Sequence, residues 1–213
     1  MILEIDNVEL NFNSKRILSG IYLKAKTGRV VGILGSNGCG KTSLINIIFG
    51  NIQPKYKLVR IDKKPVLKPL YLTKLVKYLP QHTFLPNLKI PLIFTLFHVN
   101  WEGFILHFPA FSKYKKTKIN RLSGGEQRII EIYLILKSNS EIVDEPFSHI
   151  SPLQIEKIKQ LISIEKLEKI IIITDHLYSH IIEASDEIYL LKNGCSKKID
   201  KLNELEDYKY LSE

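Results

Sequence analysis

Eight consecutive residues, Gly35-Ser36-Asn37-Gly38-Cys39-Gly40-Lys41-Thr42, have the spacing of a loop that cradles a polyphosphate. Gly, four variable residues, then Gly-Lys-Thr matches the Walker A pattern in full. Backbone N–H groups must converge on one anion in such a loop, and side chains would block the approach, so glycines are required. Lys41 is placed to neutralise β- and γ-phosphates and Thr42 to offer a hydroxyl to Mg²⁺, with Ser43 next to it. The flanks suit the motif. Arg29 to Leu34 is a short apolar run that reads as a buried strand, and Lys41 to Phe49 reads as a helix whose positive end faces the same anion. A kinase, a GTPase and a transport ATPase would all carry this loop, so it does not by itself choose among them.

A second stretch, Leu122-Ser123-Gly124-Gly125-Glu126-Gln127-Arg128, has the makings of another anion site. Ser123 supplies a hydroxyl, Gly124 and Gly125 expose backbone N–H groups, and a helix starts directly after them. This stretch resembles the signature of ATP-binding cassette (ABC) proteins. In that family the signature of one subunit faces the γ-phosphate held by another. The resemblance therefore implies a homodimer that sandwiches two ATP molecules head to tail.

Further motifs follow in the order of that family, from Phe12 to about Gly194. Ile142-Val143-Asp144-Glu145-Pro146 resembles Walker B, with Asp144 in the Mg²⁺ shell and Glu145 as the general base that polarises the attacking water. Ser140 and Glu141 stand where the family usually continues its apolar run. Gln81, in Tyr78-Leu79-Pro80-Gln81, resembles the Q-loop glutamine, which touches Mg²⁺ or water and links the site to a helical lobe. His176 resembles the switch histidine, hydrogen-bonded to the γ-phosphate. It follows a buried strand, at the sheet edge where open α/β sheets bind ligands. Phe12 occupies the place of an aromatic that stacks on adenine, and a core Phe on the sheet's inner face is the other reading. Stacking tolerates different bases, so the pattern does not separate ATP from GTP. Ser151 stands where the family's D-loop has Asp. Ser151-Pro152-Leu153-Gln154 reads as a capping box with Pro at the first helical position.

These chemical groups need a scaffold. Ile2 to Phe12 and Ile17 to Ala25 alternate apolar and polar residues as half-buried strands do. Leu75–Leu79, Ile142–Asp144, Lys169–Thr174 and Glu187–Leu191 read as further strands. Glu126–Lys137 reads as a helix that is apolar all round and hence buried, and Pro152–Ile164 as an amphipathic one. Alternating strands and helices predict an α/β fold, a mostly parallel sheet flanked by helices of the P-loop NTPase kind. An N-terminal antiparallel β region and a small inserted helical subdomain complete it. The expected division is one domain over 1–213, with 1–84 and 138–213 as catalytic core and 85–137 as helical subdomain. Phe94, Phe97, Trp101, Phe104 and Phe108 in that subdomain suit either a groove for a partner's helix or the subdomain's own core.

Composition narrows the partners. Two cysteines, Cys39 and Cys195, make no disulfide framework or CxxC zinc pair. No signal peptide is evident, and the longest apolar stretch, Ile90 to Phe111, is broken by polar residues and prolines, so no membrane span is expected. The reading is an ATPase subunit in the cytoplasm, peripheral on the inner face of the membrane, acting on separate transmembrane permease subunits. Its compact form and Asp175-His176-Leu177-Tyr178 resemble small export ATPases, including the lipopolysaccharide-export type. The net charge of +9 supports an alternative, a soluble ABC ATPase acting on nucleic acid or the ribosome. A single Walker A and the lack of basic runs interleaved with aromatics make nucleic acid the less favoured partner.

Overall fold

The computed structural model describes residues 1–13, 15–73, 76–137, 141–144, 146–148 and 150–207, with 141–144 and 206–207 described by their backbone alone. Two long strands open the chain, β1 (Ile2–Phe12) and β2 (Lys15–Lys26). Leu3 and Ile5 point inward, as do Val8 and Leu10, although the two pairs are out of phase by one residue. A register shift between Ile5 and Val8, with Asn7 at φ 50°, absorbs the extra residue and keeps both pairs on the core face.

The fully buried strand β3 (Val30–Leu34) leads through the glycine-rich loop into α1 (Lys41–Phe49). Next come β4 (Tyr56–Ile61), β5 (Lys64–Pro65) and β6 (Lys77–Leu79). The inserted lobe holds α2 (Ile90–Leu96), α3 (Trp101–His107) and two 3₁₀ turns, and ends in α4 (Gly124–Leu136). The remaining elements are β7 (Glu141–Asp144), α5 (Pro152–Glu165), β8 (Ile171–Thr174), α6 (Tyr178–Ala184), β9 (Glu187–Lys192), β10 (Cys195–Ile199) and α7 (Glu204–Asp207).

Two sheets result. One is antiparallel, in the order β2-β1-β4-β5. The other runs β10-β9-β3-β8-β7-β6 and is parallel except for β10, which pairs antiparallel to β9. They meet where Ser196 brackets Tyr22: the Tyr22 N–H donates to Ser196 Oγ at 2.9 Å, and that hydroxyl donates to Tyr22 O at 2.7 Å. One apolar cluster fills the space between the sheets around α1, and a second lies between the parallel sheet and the lobe. Strands β4, β5 and β10 have no counterpart in the sequence reading. Each is short and lysine-bearing: β5 and β10 are the second arms of hairpins with β4 and β9, β4 pairs with the distant β1, and none carries an apolar run long enough to mark it.

Of the two readings of the lobe's aromatics, the core is the one seen: Phe94, Trp101, Phe104 and Phe108 are buried, Phe97 is partly buried against them, and Phe94 and Phe104 pack with ring centroids 5.1 Å apart. One expectation needs correction. The capping box at Ser151 does not form. Ser151 is the N-cap of α5 with Pro152 in its first turn, yet its side chain makes no cap. The Gln154 N–H instead takes the Ser151 backbone carbonyl, at 2.9 Å, in a tight first turn that leaves the hydroxyl unused as a cap.

Candidate nucleotide-binding site

The carboxyl ends of β3, β7 and β8 point to one edge of the parallel sheet, where Asp144 pairs in register with Thr174. A cleft of about 620 Å³ opens there, lined by Phe12, Ile17, Asn37, Gly38, Gly40, Lys41, Thr42, Ser43, Gln81 and His176. Residues from four separate parts of the sequence thus converge on one space.

The loop's geometry explains its glycines. Gly38 and Gly40 take φ 77° and 107°, in the left-handed region that other residues rarely enter. At Gly35 a Cβ would stand 2.6 Å from the Leu191 carbonyl oxygen and 2.5 Å from Cys39 Sγ, so no side chain fits. Ser36, Asn37 and Gly38 are exposed at the loop's crest. Burial pushes the Cys39 thiol pKa up, against the pull of Lys41. Lys41 is buried, and its ammonium donates to Gly35 O at 2.6 Å and Ser36 O at 3.2 Å. Helix α1 has no side-chain cap and no acidic residue in its first turn, so its positive end is left for an anion.

Gln81 Nε2 donates to Thr42 Oγ1 at 3.1 Å, which brings the two expected magnesium ligands together on the cleft floor. Gln81 turns its amide N–H to the Thr42 hydroxyl, and its carbonyl oxygen and that hydroxyl are oxygen groups of the kind a hard cation takes, with the carboxyl end of β7 at the same sheet edge. The residues present therefore fit Mg²⁺. Glu145 lies outside the described residues. Phe12 is 51% exposed at the rim, which excludes the core reading.

His176 stands at the opposite wall, with Nδ1 3.2 Å from Asp175 Oδ1. Asp175 itself is fully buried and was not singled out in the sequence. Two further residues were missed. Glu131, fully buried in α4, accepts the Phe84 N–H at 3.1 Å and faces Arg128 Nη1 at 3.4 Å. Arg128 donates to Pro80 O at 2.6 Å. This pair grips the loop on both sides of Gln81 and borders a cavity of about 320 Å³ shared with Gly124 and Ser148. A signal was available: an acid within Ile129-Ile130-Glu131-Ile132, in a helix apolar all round, has no wet side to face.

Ser123 and Gly125 line a separate depression of about 440 Å³ with Ile150, Ser151 and Gln154. Here a capping box does form. The Ser123 N–H donates to Glu126 Oε2 at 2.9 Å, and the Glu126 N–H donates to Ser123 Oγ at 3.3 Å. Burial opposes ionisation of Glu126, but hydrogen bonds from Tyr114, at 2.6 Å, and from Ser123 overcome it and hold the carboxyl below its usual range.

Comparison with known proteins agrees with this geometry. A family model described as ABC transporter matches residues 18–148. An uncharacterized ABC transporter ATP-binding protein of Methanocaldococcus jannaschii is 31% identical, over 91% of this chain and 84% of its own. The lipopolysaccharide export system ATP-binding protein of Haemophilus influenzae is 26% identical, over 91% and 88%. A solved structure described as the ATP binding subunit of an ABC transporter superposes with a TM-score of 0.78 at 18% identity, over 100% and 95%.

Proposed function

This chain belongs to the ABC transporter family, and from that premise we propose that two copies close head to tail over two ATP molecules, Ser123, Gly124 and Gly125 of each facing the γ-phosphate held by the other. The chain is an ATP-binding subunit, an ATPase that powers transport. The observation that supports the sandwich is the division of its parts. The Walker A loop, Gln81, His176 and Phe12 line one cleft, while Ser123 and Gly125 line another depression and Gly124 borders the cavity behind Gln81.

In this reading Phe12 stacks on the base, and the N–H groups of the Gly35–Thr42 loop, with Ser43, hold the phosphates. Lys41 exchanges its bonds to Gly35 O and Ser36 O for phosphate oxygens. Thr42, Gln81 and Asp144 would hold Mg²⁺, which neutralises charge across the β- and γ-phosphates. Glu145 draws the proton from the attacking water, a contribution of about 10²–10⁴ in rate. His176 donates to the γ-phosphate.

The permease is a separate chain in this reading. No described helix is long and apolar enough to cross a membrane. Phe84, three residues after Gln81, and Leu92 and Leu96 of α2 are exposed apolar residues, and the Phe84 ring lies 6.1 Å from Phe97, which directly follows Leu96. They suit a short helix of a permease docked from the inner face of the membrane. The transporter relatives favour this partner over nucleic acid or the ribosome.

Gel filtration of Glu145→Gln with ATP and Mg²⁺ tests the sandwich. A dimer that reverts to monomer without ATP is expected, and a monomer at saturating ATP would overturn it. The same variant should hydrolyse ATP at least about 100-fold more slowly than wild type.

A further inference from the structure

We propose that Asp175 is a positioning residue that holds the switch histidine and the loop after the general base as a single unit. The carboxylate is fully buried at the end of β8, beside the end of β7. Its Oδ2 accepts the Phe147 N–H at 2.8 Å. Its Oδ1 accepts the Leu177 N–H at 3.0 Å, lies 3.5 Å from the Ser148 hydroxyl that donates to it, and stands 3.2 Å from His176 Nδ1. Phe147 comes two residues after Glu145, and Leu177 directly follows His176. One acid thus ties the loop that follows β7 to the loop that follows β8. A buried carboxylate that accepts several N–H groups is a rigid post, because leaving any of those donors unpaired would be costly.

The histidine gains an orientation from the same contact. An imidazole whose Nδ1 faces a carboxylate keeps its proton there, so the Nε2 edge is the one presented away from Asp175. His176 lines the nucleotide cleft, and its ring is thereby set for the phosphate. Asp175 has no part in the Walker A loop. Its removal should therefore spoil the alignment of base and histidine while leaving nucleotide binding in place. The inference rests on the ATPase reading, with Glu145 and His176 in their proposed roles.

The test compares Asp175→Ala and Asp175→Asn with wild type. Asp175→Ala should lower kcat about 100-fold, the scale of a ~1 Å misplacement, with KM for ATP within about threefold. Asp175→Asn, which keeps one acceptor, should lose less, about 10-fold. The ¹⁵N signals of His176, assigned with His176→Ala, should change from an Nδ1-protonated ring in wild type to a tautomer mixture in Asp175→Ala. A kcat within twofold of wild type would overturn the proposal. So would a parallel loss of ATP affinity and kcat, the mark of a merely structural residue, or an unchanged imidazole spectrum. If Asp175→Ala does not fold, Asp175→Asn decides by the same criteria. A wild-type protein without ATPase activity counts against the ATPase reading instead, and the imidazole signals, which need no turnover, still decide the orientation.

Discussion

Replacing Glu131 tests whether α4 and the Gln81 loop are one mechanical unit. Glu131→Ala removes the acceptor of the Phe84 N–H and the counter-charge of Arg128. An orphaned buried donor costs about 1–3 kcal/mol, and breaking a buried ion pair by removing one partner costs about 3–5 kcal/mol in all. Arg128 keeps its 2.6 Å bond to Pro80 O and borders a cavity of about 320 Å³, into which water can follow. The expected loss is therefore at the lower end, about 3 kcal/mol. Glu131→Gln keeps one acceptor but turns an amide N–H toward another donor, so one mismatch remains, worth about 1–2 kcal/mol. Urea denaturation at fixed pH reads both values, provided the slope with denaturant is unchanged. Amide exchange at Phe84 should accelerate in step. The pH dependence adds a sign. Burial pushes the Glu131 carboxyl pKa up, and the hydrogen bond from Phe84 and the charge of Arg128 only partly offset this. The stability linked to that raised value is complete below the unfolded pKa of about 4.3 and fades as pH rises through the folded one. The wild-type advantage over Glu131→Gln should thus be larger at about pH 4.5 than at about pH 8. A Glu131→Ala protein within about 1 kcal/mol of wild type, or a gap that widens with rising pH, would refute the reasoning.

Other outcomes follow from the same geometry. Lys41→Ala should weaken ATP binding about 10–100-fold, the value of charge-assisted bonds to phosphate; unchanged affinity by titration calorimetry would count against the cradle. Ser123→Ala should leave ATP binding to a single chain intact but weaken ATP-dependent pairing of the Glu145→Gln protein, and should cost about 0.5–2 kcal/mol of stability through the lost cap. Equal pairing by sedimentation would exclude Ser123 from the interface. Ser151→Asp places a charge at the N-cap of α5, where the serine side chain makes no cap, and should raise stability by about 0.3–1 kcal/mol. A lowered unfolding midpoint would contradict this.

The phosphate loop, the signature and the order of motifs were legible because each is a short local pattern with a single physical job. The parallel sheet was legible from its apolar runs, such as Ile170 to Ile173. What escaped was weakly patterned or non-local. β10 is mostly polar and lysine-bearing, and it is a strand because the Asn193-Gly194 turn folds it back on β9. Trp101, Phe104 and Phe108 share a face at spacings of three and four, which suits a groove or a core equally until the opposing Tyr133 of α4 is in place 5.0 Å from Phe104. Asp175 and Glu131 escaped for another reason. A buried acid is defined by the backbone N–H groups it serves, and those of Phe147 and Phe84 lie far along the chain from Asp175 and Glu131.

These two acids show how the chain treats its loop N–H groups. Where a loop or helix start must stay fixed, a side chain of the protein occupies it. Asp175 takes Phe147 and Leu177, Glu131 takes Phe84, and Asn100 takes Glu102 and Gly103 at the start of α3. α1, like α2, α5 and α6, has no side-chain cap and no acid in its first turn; it differs in being entered from the glycine loop, with Gly40 as N-cap at φ 107° and the Lys41 ammonium bonded to the loop carbonyls of Gly35 and Ser36. In the proposed reading the anion site of the single chain is the Walker A loop, where the Lys41 ammonium stands beside an uncapped helix start. α4 is intermediate, since Ser123 and Glu126 already satisfy each other at its start. A γ-phosphate arriving there must turn the Ser123 hydroxyl away from a carboxylate held in its charged form. In the proposed dimer this orders the events. ATP settles on Lys41 and the α1 terminus of one copy first, and only a phosphate already held there, presented by a second copy, competes with Glu126 for Ser123. The capping box thus disfavours capture of free phosphate by the signature and reserves it for ATP bound across the interface.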